Sequence, residues 1–324
     1  MNNEFKIKFW GVRGSYPTPG ESTIKYGGNT ACVEINVNGK TIILDAGTGI
    51  IPLGREIVKK AMQEKREIEL LLLFSHLHHD HTQGFPFFVP AYLPKAKLHI
   101  YGPGGTAETV KHVLEHNQSS ETFPISLREM AAYKDMQSLH ESRVIVWDEN
   151  GVRVAEPNSK SGDEAVVIKI HKSYAHPGSV YVYRITYQNK SVVYATDTEG
   201  YVGTDRRLVN FSRDADVLIH DAQYRDEHYF GSLNGFPATQ GYGHSTATMA
   251  GEVAASAETG QLILFHHDPA YSDSWVKAQE ERAQKIFLDS HAAYEGLEIN
   301  LTSPLTPLLQ ERGIGKEVKY VKNG

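Results

Sequence analysis

The sequence predicts an α/β protein in which two β-sheets pack face to face and helices cover both outer faces, a four-layer αββα sandwich. Three observations predict it: strand-like and helix-like segments alternate, two hairpins resemble each other, and each hairpin ends on an aspartate followed closely by glycine. We interpret the hairpins as starting two similar β units whose loops share one rim. The 324 residues, 40% of them hydrophobic, suffice for one large core.

The first half of the chain contains the first β unit. Residues 32–37 alternate between apolar and polar, Asn38 and Gly39 form a typical two-residue hairpin turn, and residues 41–44 return toward Asp45. The turn chemistry and the alternation agree, so this segment predicts a hairpin.

A helix and a buried strand are predicted after the first hairpin. Residues 51–67 are helical in composition and spacing, whereas residues 68–74 form a continuous apolar run of strand length. A histidine-rich segment follows, and a helix is predicted to begin near Asp80. Residues 98–101 predict a further short strand.

The middle of the chain, residues 106–150, is predicted to be a helical segment inserted within a single domain that spans residues 1–324. One helix is predicted over residues 106–117, a second short helix is predicted to begin at residues 127–130, and residues 144–147 are predicted to form a strand. No linker rich in glycine, proline or serine separates this segment. Together with residues 224–242, it is expected to shape the pocket or a homodimer contact.

The second half repeats the pattern of the first. Residues 180–185, a turn at residues 188–190 and residues 191–195 lead to Asp197. The remaining predicted elements are strands over residues 215–218 and 261–265 and helices over residues 245–258 and 275–294.

Composition limits the partners and the compartment. The net charge is −6, with 33 basic and 39 acidic residues and no run of Lys or Arg, so a long nucleic acid is not expected as substrate. Apolar stretches are too short to cross a bilayer, and the N-terminus does not resemble a signal peptide, so no membrane partner is expected. The single cysteine, Cys32, fits a reducing cytosol, and a cytoplasmic location is expected.

The strongest motif is SHLHHDHTQG, residues 75–84, directly after the apolar run. Because residues two apart in an extended chain point the same way, His76 and His78 are predicted to bind one ion. Asp80 and His81 follow where the chain turns into a helix and are predicted to face a neighbouring ion. Imidazole and carboxylate are ligands that Zn²⁺, Mn²⁺ and Fe²⁺ accept. A chance polar loop explains this density of ligands poorly.

This H-x-H-x-D-H segment resembles the metallo-β-lactamase superfamily, and the chain looks most similar to its phosphodiesterase and ribonuclease Z branch. The likeness extends from FWGVRGS at residues 9–15, through residues 27–30 and 44–49, to LFHHDP at residues 264–269. It implies the four-layer αββα fold and two divalent cations, Zn²⁺ first, with Mn²⁺ and Fe²⁺ as alternatives.

The resemblance also implies the distant ligands. His176, just before a strand of the second half, matches a third histidine on the first ion, with His171 as its rival. Asp197 matches a bridging carboxylate at a strand end, and His266 matches the last ligand ahead of His267. The implied set is His76, His78 and His176 on one ion, Asp80, His81 and His266 on the other, and Asp197 as the bridge.

Catalytic roles are implied for three residues. The branch carries a histidine that protonates the leaving oxygen; His244 matches it, with a plain structural role as the alternative. Asp221, near a preceding strand end, matches the carboxylate that fixes the imidazole's tautomer and raises its basicity. Asp80 is expected to contribute to catalysis as well as to binding.

Three further residues are expected near the site, where they hold a ligand histidine in place or contact the substrate. Asp45 is expected to hydrogen-bond a ligand histidine, with capping of the Gly47 backbone as the alternative. Asn29 and Arg13 lie in glycine-rich loops near the same rim and are expected to contact phosphate, with a plain role in turns as the alternative.

The expected function is hydrolysis of a small phosphodiester, such as a cyclic nucleotide, by a hydroxide that two cations share. One alternative is a tRNA 3′-processing endoribonuclease, but those enzymes carry a basic arm, which this sequence lacks. A lactonase or thioesterase uses the same metal core. An iron-binding redox enzyme and a non-catalytic module are further alternatives; the complete ligand set argues against the module.

Overall fold

Fifteen strands and seven helices make up the fold in the computed structural model, which describes residues 4–104, 109–162, 164–200, 203–235 and 237–302. The strands are β1 (Phe5–Gly11), β2 (Cys32–Val37), β3 (Lys40–Leu44), β4 (Glu69–Leu73), β5 (Lys97–Pro103), β6 (Tyr133–Leu139), β7 (Val144–Asp148), β8 (Gly151–Ala155), β9 (Val166–Ser173), β10 (Val180–Tyr187), β11 (Lys190–Ala195), β12 (Val217–Asp221), β13 (Gln261–Phe265), β14 (Ser290–Ala292) and β15 (Glu298–Asn300). The helices are α1 (Ile50–Glu64), α2 (His79–Thr82), α3 (Thr109–Asn117), α4 (Arg206–Ser212), α5 (Asp226–Tyr229), α6 (Ala247–Ala257) and α7 (Asp273–Gln284).

Two mixed sheets form the centre of the protein. The first has seven strands in the order β15-β1-β2-β3-β4-β5-β6, and the second has eight in the order β14-β13-β12-β11-β10-β9-β7-β8. In each sheet an antiparallel hairpin, β2–β3 or β10–β11, is followed by three further strands in parallel. The resemblance between the two halves that the sequence predicts is therefore present in the topology.

The first hairpin forms at the predicted turn. Asn38 and Gly39 have φ angles of 47° and 76°, the left-handed pair that a tight hairpin turn requires and that these residue types tolerate best. The register places Val33 opposite Leu44. The strand after the turn therefore delivers Asp45 to the rim of the sheet.

Side chains that alternate along the strands divide the hydrophobic residues into three layers. Leu71 and Leu73 of β4 point between the sheets, where they share a core with residues such as Ile168 and Tyr183 of the second sheet. The neighbouring Leu72 packs instead toward α1. A third cluster joins the second sheet to α4, α6 and α7. The predicted four-layer αββα sandwich is confirmed.

The helices bury the faces that their spacing predicts. In α1, Leu53, Ile57 and Ala61 are buried at intervals of four residues, and the helix ends at Lys65 in the left-handed conformation with a φ of 53°. Thr246 caps the N-terminus of α6, and its hydroxyl accepts a hydrogen bond from the amide of Met249.

Two predicted elements differ from the structure. Residues 106–150 are not mainly helical: the described part contains α3, turns at residues 127–130 and the strands β6 and β7, which lengthen one sheet each. Of these two strands, the sequence predicts β7 but not β6. Hydrogen bonding to β5 and β9 favours strands there over an inserted helical segment. The predicted closing helix over residues 275–294 ends at Gln284, because the following segment pairs with β13 as β14.

No helix among the described residues is long and apolar enough to span a membrane.

Candidate metal centre

The predicted ligands converge where strands of both sheets end at the same rim. The segment 76–81 follows β4, and α2 begins within it at His79. Asp197 follows β11, His266 follows β13, and His176 precedes β10. Loops after parallel strands meet at one edge of an α/β fold, so residues far apart in sequence become neighbours there.

Four of these residues form the deep cluster, Asp80, His81, Asp197 and His266. All four are buried, and their ligand atoms lie within 4.8 Å of one another. Nε2 of His266 lies 3.2 Å from Asp80 Oδ2 and 3.4 Å from Asp197 Oδ2. Nε2 of His81 lies 3.3 Å from the same two oxygens. Two imidazole nitrogens and two carboxylate oxygens thus face one point.

Three histidines form the outer cluster, His76, His78 and His176, again with ligand atoms within 4.8 Å of one another. His78 is exposed, whereas the other two are buried. Nε2 of His176 lies 3.1 Å from Nδ1 of His78. Burial lowers the pKa of His76 well below its usual value, so its ring is neutral, the form that binds a cation.

Asp197 lies between the deep and outer clusters. Its Oδ1 is 3.6 Å from Nε2 of His76, and its Oδ2 approaches the imidazoles of the deep cluster. The residue has a φ of 50°, in the left-handed region, as Asp45 has at the matching position of the first sheet with a φ of 62°. One carboxylate therefore presents one oxygen to each cluster.

Hydrogen bonds from side chains fix the imidazoles of the deep cluster. Asp45 Oδ2 lies 2.8 Å from Nδ1 of His81, as predicted, and also accepts from the hydroxyls of Ser75 and Tyr194. Since a carboxylate only accepts, Nδ1 of His81 carries a proton, which leaves Nε2 directed at the carboxylates of Asp80 and Asp197. Gln223 Oε1 does the same for His266 at 2.8 Å.

The outer cluster is held by longer hydrogen bonds, to a hydroxyl and to a backbone carbonyl. His76 Nδ1 lies 3.1 Å from the hydroxyl of Ser75, and His176 Nδ1 lies 3.1 Å from the carbonyl of Gly243. Gly243 has a φ of 90°, and a Cβ there would lie 2.2 Å from Nδ1 of His176. Only glycine allows this close approach.

The donor set fits divalent cations. Nε2 of His76 is buried without a hydrogen-bond partner. In the deep cluster, two buried carboxylates lie within 4.8 Å of each other. An unpartnered buried nitrogen and adjacent buried carboxylates are costly unless a cation lies among them. Nitrogen and carboxylate oxygen donors without thiolate are typical of Zn²⁺, Mn²⁺ and Fe²⁺.

His244 and Asp221 form the predicted pair beside the two clusters. His244 Nδ1 lies 2.8 Å from Asp221 Oδ2, and its ring stacks on His266 with centroids 5.1 Å apart. Burial disfavours the charged ring, but the Asp221 carboxylate outweighs this effect and raises the pKa of His244 to about 9. One of its ring nitrogens lies within 4.8 Å of ligand atoms of His176 and Asp197. The structure therefore places this imidazole directly beside both clusters.

Sequence analysis missed Glu199 and Gln223. Glu199 Oε1 accepts from the Tyr229 hydroxyl at 2.6 Å and the Gly241 amide at 2.7 Å, and Oε2 accepts from the Gly243 amide at 3.0 Å. Gln223 lies two residues after Asp221, at the end of a strand, and Glu199 lies two residues after Asp197. The sequence signal that could have identified both residues is their position two residues after an aspartate at the end of a predicted strand.

The two predicted phosphate contacts do not reach the clusters, which corrects those expectations. Arg13 is fully buried and donates to the carbonyls of Gly27, Asp268 and Tyr271, and Asn29 donates to Glu295. Internal carbonyls and a carboxylate engage these donors, and the remaining nitrogen of Arg13, Nη2, is itself buried, so both residues brace loops.

The rival histidines also lie outside the clusters. His267 Nε2 lies 3.0 Å from the carbonyl of Ala293, on the other side of the strand end from His266. His171 remains within β9, with its ring near Phe211. In each pair the residue preferred from the sequence lies in one of the two clusters.

Comparisons with known proteins agree with this geometry. Ribonuclease Z of Picrophilus torridus is 25% identical over 325 residues, covering 93% of this chain and 97% of that protein. Ribonuclease Z of Bacillus subtilis is 27% identical over 266 residues, covering 73% of this chain and 82% of that protein. Both alignments extend over most of each chain.

Three solved structures have the same fold. YhfI of Bacillus subtilis, a metallo-β-lactamase fold protein, has a TM-score of 0.62 at 18% identity and covers 92% of this chain and 100% of its own. Zn²⁺-bound PqqB of Methylobacterium extorquens has a TM-score of 0.64 at 14% identity, covering 91% and 100%. A diphosphatase from the PhnP family has a TM-score of 0.59 at 16% identity, covering 93% and 100%.

The family comparison covers the whole candidate centre. The β-lactamase superfamily domain matches residues 40–267, which include every residue of the deep and outer clusters. The chain therefore belongs to the β-lactamase superfamily, on its ribonuclease Z-like branch, and is a metal-dependent hydrolase.

Proposed function

We propose that the protein is a binuclear metal-dependent phosphodiesterase that cleaves a small phosphodiester. One observation carries the proposal: Asp197 directs one oxygen toward His76 of the outer cluster and the other toward the deep cluster. Two divalent cations bound side by side neutralise charge on phosphate oxygens and supply a nucleophile from water at neutral pH. Zn²⁺ suits a donor set of imidazoles and carboxylates.

The chain's own residues supply the remaining chemistry. Asp221 accepts from Nδ1 of His244 and raises the pKa of the ring to about 9, so the ring is protonated at neutral pH and its opposite nitrogen can give a proton to the departing oxygen. Asp221 also accepts from the backbone amides of Asp197 and Ser245. The proton donor and the bridging carboxylate are therefore fixed relative to each other, which general acid catalysis requires.

Cavity size favours a small substrate. Two cavities adjoin the outer cluster, one of about 400 Å³ beside His78 and one of about 690 Å³ beside His176. Sites for small molecules are commonly of about 300–1,000 Å³. A nucleotide or a similar diester fits such a space.

The second candidate is processing of a tRNA 3′ end, which the name ribonuclease Z of several relatives at 24–27% identity favours. Binding to a long RNA depends on clustered positive charge, because each phosphate contact displaces counterions. Residues 230–246, which include the loop before His244, contain no Lys or Arg, and the whole chain carries −6. We therefore rank a small diester above tRNA.

The experiment is a substrate panel with the Zn²⁺-loaded protein. It compares bis-p-nitrophenyl phosphate, 2′,3′- and 3′,5′-cyclic AMP, a precursor tRNA, a lactone and a thioester by kcat/KM. We expect a small phosphodiester to lead and a chelator to abolish its cleavage. Precursor tRNA cleaved far faster than every small diester would reverse the ranking, and preference for the lactone or thioester would refute the phosphodiesterase assignment.

A further inference from the structure

Lys172 lies where the two cavities beside the outer cluster meet. Its side chain borders both the cavity of about 400 Å³ that contains His78 and the cavity of about 690 Å³ that contains His176. The strand explains this position. Ile168 and Ile170 of β9 point between the sheets, so Lys172, on the same face, emerges at the rim where the ligands converge.

The charge of Lys172 is not neutralised within the described part of the protein. No carboxylate of a described residue forms an ion pair with this ammonium. The centre of the Tyr174 ring lies 5.0 Å from Nζ. Glu199 lines the larger cavity, but its two oxygens already accept three hydrogen bonds. A half-buried, unpaired cation in an acidic protein favours an anionic ligand.

The loop that forms the floor of both cavities is also unusual. Gly178 and Ser179 have φ angles of 82° and 71°, and both residues border both cavities. A serine in the left-handed region is strained, and such strain concentrates at ligand-binding sites. The tight turn, closed by the Ser179 amide on the carbonyl of His176, ties the cavity floor to a residue of the outer cluster.

We propose that Lys172 binds a second phosphate of the substrate, one that is not cleaved, next to the phosphodiester held at the cations. The inference rests on the proposed function and names its substrate class: a phosphodiester that carries a neighbouring phosphate. Such a phosphate occurs in a phosphorylated dinucleotide or in a longer nucleic acid chain. The ammonium contributes one charge-assisted hydrogen bond, which changes kcat/KM about tenfold or more.

The test uses substrates that differ by one phosphate. The dinucleotide TpT has only the scissile diester, whereas pTpT and TpTp carry one more phosphate at either end. The variants are Lys172→Met, which keeps the aliphatic stem, and the matched control Lys169→Met. Lys169 is an exposed lysine three residues earlier in β9, on the opposite face of the strand.

We expect one phosphorylated dinucleotide to exceed TpT by about tenfold in kcat/KM. Lys172→Met should bring this ratio to about one, Lys169→Met should keep it, and added salt should shrink it in the wild type. A wild-type ratio near one, or a ratio that Lys172→Met leaves intact, overturns the inference. A longer oligonucleotide as an additional arm shows whether the second phosphate belongs to a nucleotide or to a chain. If neither the dinucleotides nor bis-p-nitrophenyl phosphate is cleaved, the proposed phosphodiesterase function itself is wrong.

Discussion

The deep cluster and the outer cluster use the same kinds of side chain, yet the protein holds them differently. In the deep cluster, the side chains of Asp45 and Gln223 lock the imidazoles of His81 and His266. In the outer cluster, His176 forms a hydrogen bond with the backbone carbonyl of Gly243, and His78 is exposed. The deep cluster is therefore held by side chains at strand ends, whereas the outer cluster depends on a loop.

This difference teaches how a binuclear site can divide its tasks. A preorganised, buried ligand set binds its cation tightly, because little rearrangement accompanies binding. A set with one exposed histidine beside two cavities leaves room for substrate. We expect the cation of the deep cluster to stabilise the fold as well as to take part in catalysis. We expect the cation of the outer cluster to exchange with solvent more readily. Four variants test this comparison.

The largest effect is expected for Asp197→Ala, because this carboxylate serves both clusters. Loss of the bridge leaves the deep cluster with three ligands and the outer cluster without an anionic partner. We expect the metal content to fall from two ions per chain to fewer than one and turnover to fall below detection. Elemental analysis after gel filtration measures the metal content, and hydrolysis of bis-p-nitrophenyl phosphate measures turnover. Two retained cations would contradict the bridging role.

Replacing His244 by alanine separates chemistry from metal binding. The ring belongs to neither cluster, but it stands beside both and donates a hydrogen bond to Asp221. Loss of a general acid lowers kcat by about 10²–10⁴-fold. We expect that loss with two cations still bound. A variant that loses metal in proportion to activity would instead make His244 a ligand.

The Asp45→Asn variant is expected to weaken the deep cation selectively. Asp45 accepts from Ser75, His81 and Tyr194, and an amide nitrogen in place of one oxygen would face one of these donors. Changing such a supporting partner lowers metal affinity about 10–100-fold. Titration of the metal-free protein against a chromophoric chelator should show the tighter binding step weakened. An unchanged tight step would place the stronger site in the outer cluster.

The smallest effect, confined to the outer cluster, is expected for Glu199→Gln. The amide can keep the bonds from Tyr229 and Gly241 only by turning a donor toward the Gly243 amide, which loosens the carbonyl that orients His176. We expect the weaker cation-binding step to lose about tenfold in affinity.

A matched control sharpens the Glu199 experiment. Glu252→Gln makes the same change at an exposed position of α6, away from the centre. It should leave both binding steps unchanged. If Glu199→Gln lowers only thermal stability and neither binding step, its role is structural and the proposed link to His176 is wrong.

The sequence predicts the fold and the 76–81 part of the candidate ligand set because both depend on local patterns. The H-x-H-x-D-H segment directly after an apolar run places its own side chains at a strand end, and the aspartates that follow β3 and β11 mark the same rim. Distant ligands such as His176 needed the family resemblance as well, because spacing alone does not tell which of two histidines faces inward.

The failures concern the direction of side chains and competition between strand and helix. Arg13 lies in the predicted rim loops, but its guanidinium donates into buried carbonyls, a direction that no local pattern encodes. Residues 286–294 are apolar enough for a helix, yet pairing with β13 makes part of them a strand. Glu199 was missed because its three partners lie 30 to 44 residues away.

Each cluster takes ligands from both sheets: the 76–81 segment belongs to the first, and His176, Asp197 and His266 belong to the second. A bound ion is therefore a cross-link between the two halves, in a chain whose lone Cys32 cannot form an internal disulfide. At a free ion concentration about 1,000 times the Kd, one such cross-link adds about 4 kcal/mol to the free energy of unfolding. Metal starvation should consequently loosen the whole sandwich, so that the cell loses the protein as well as its activity.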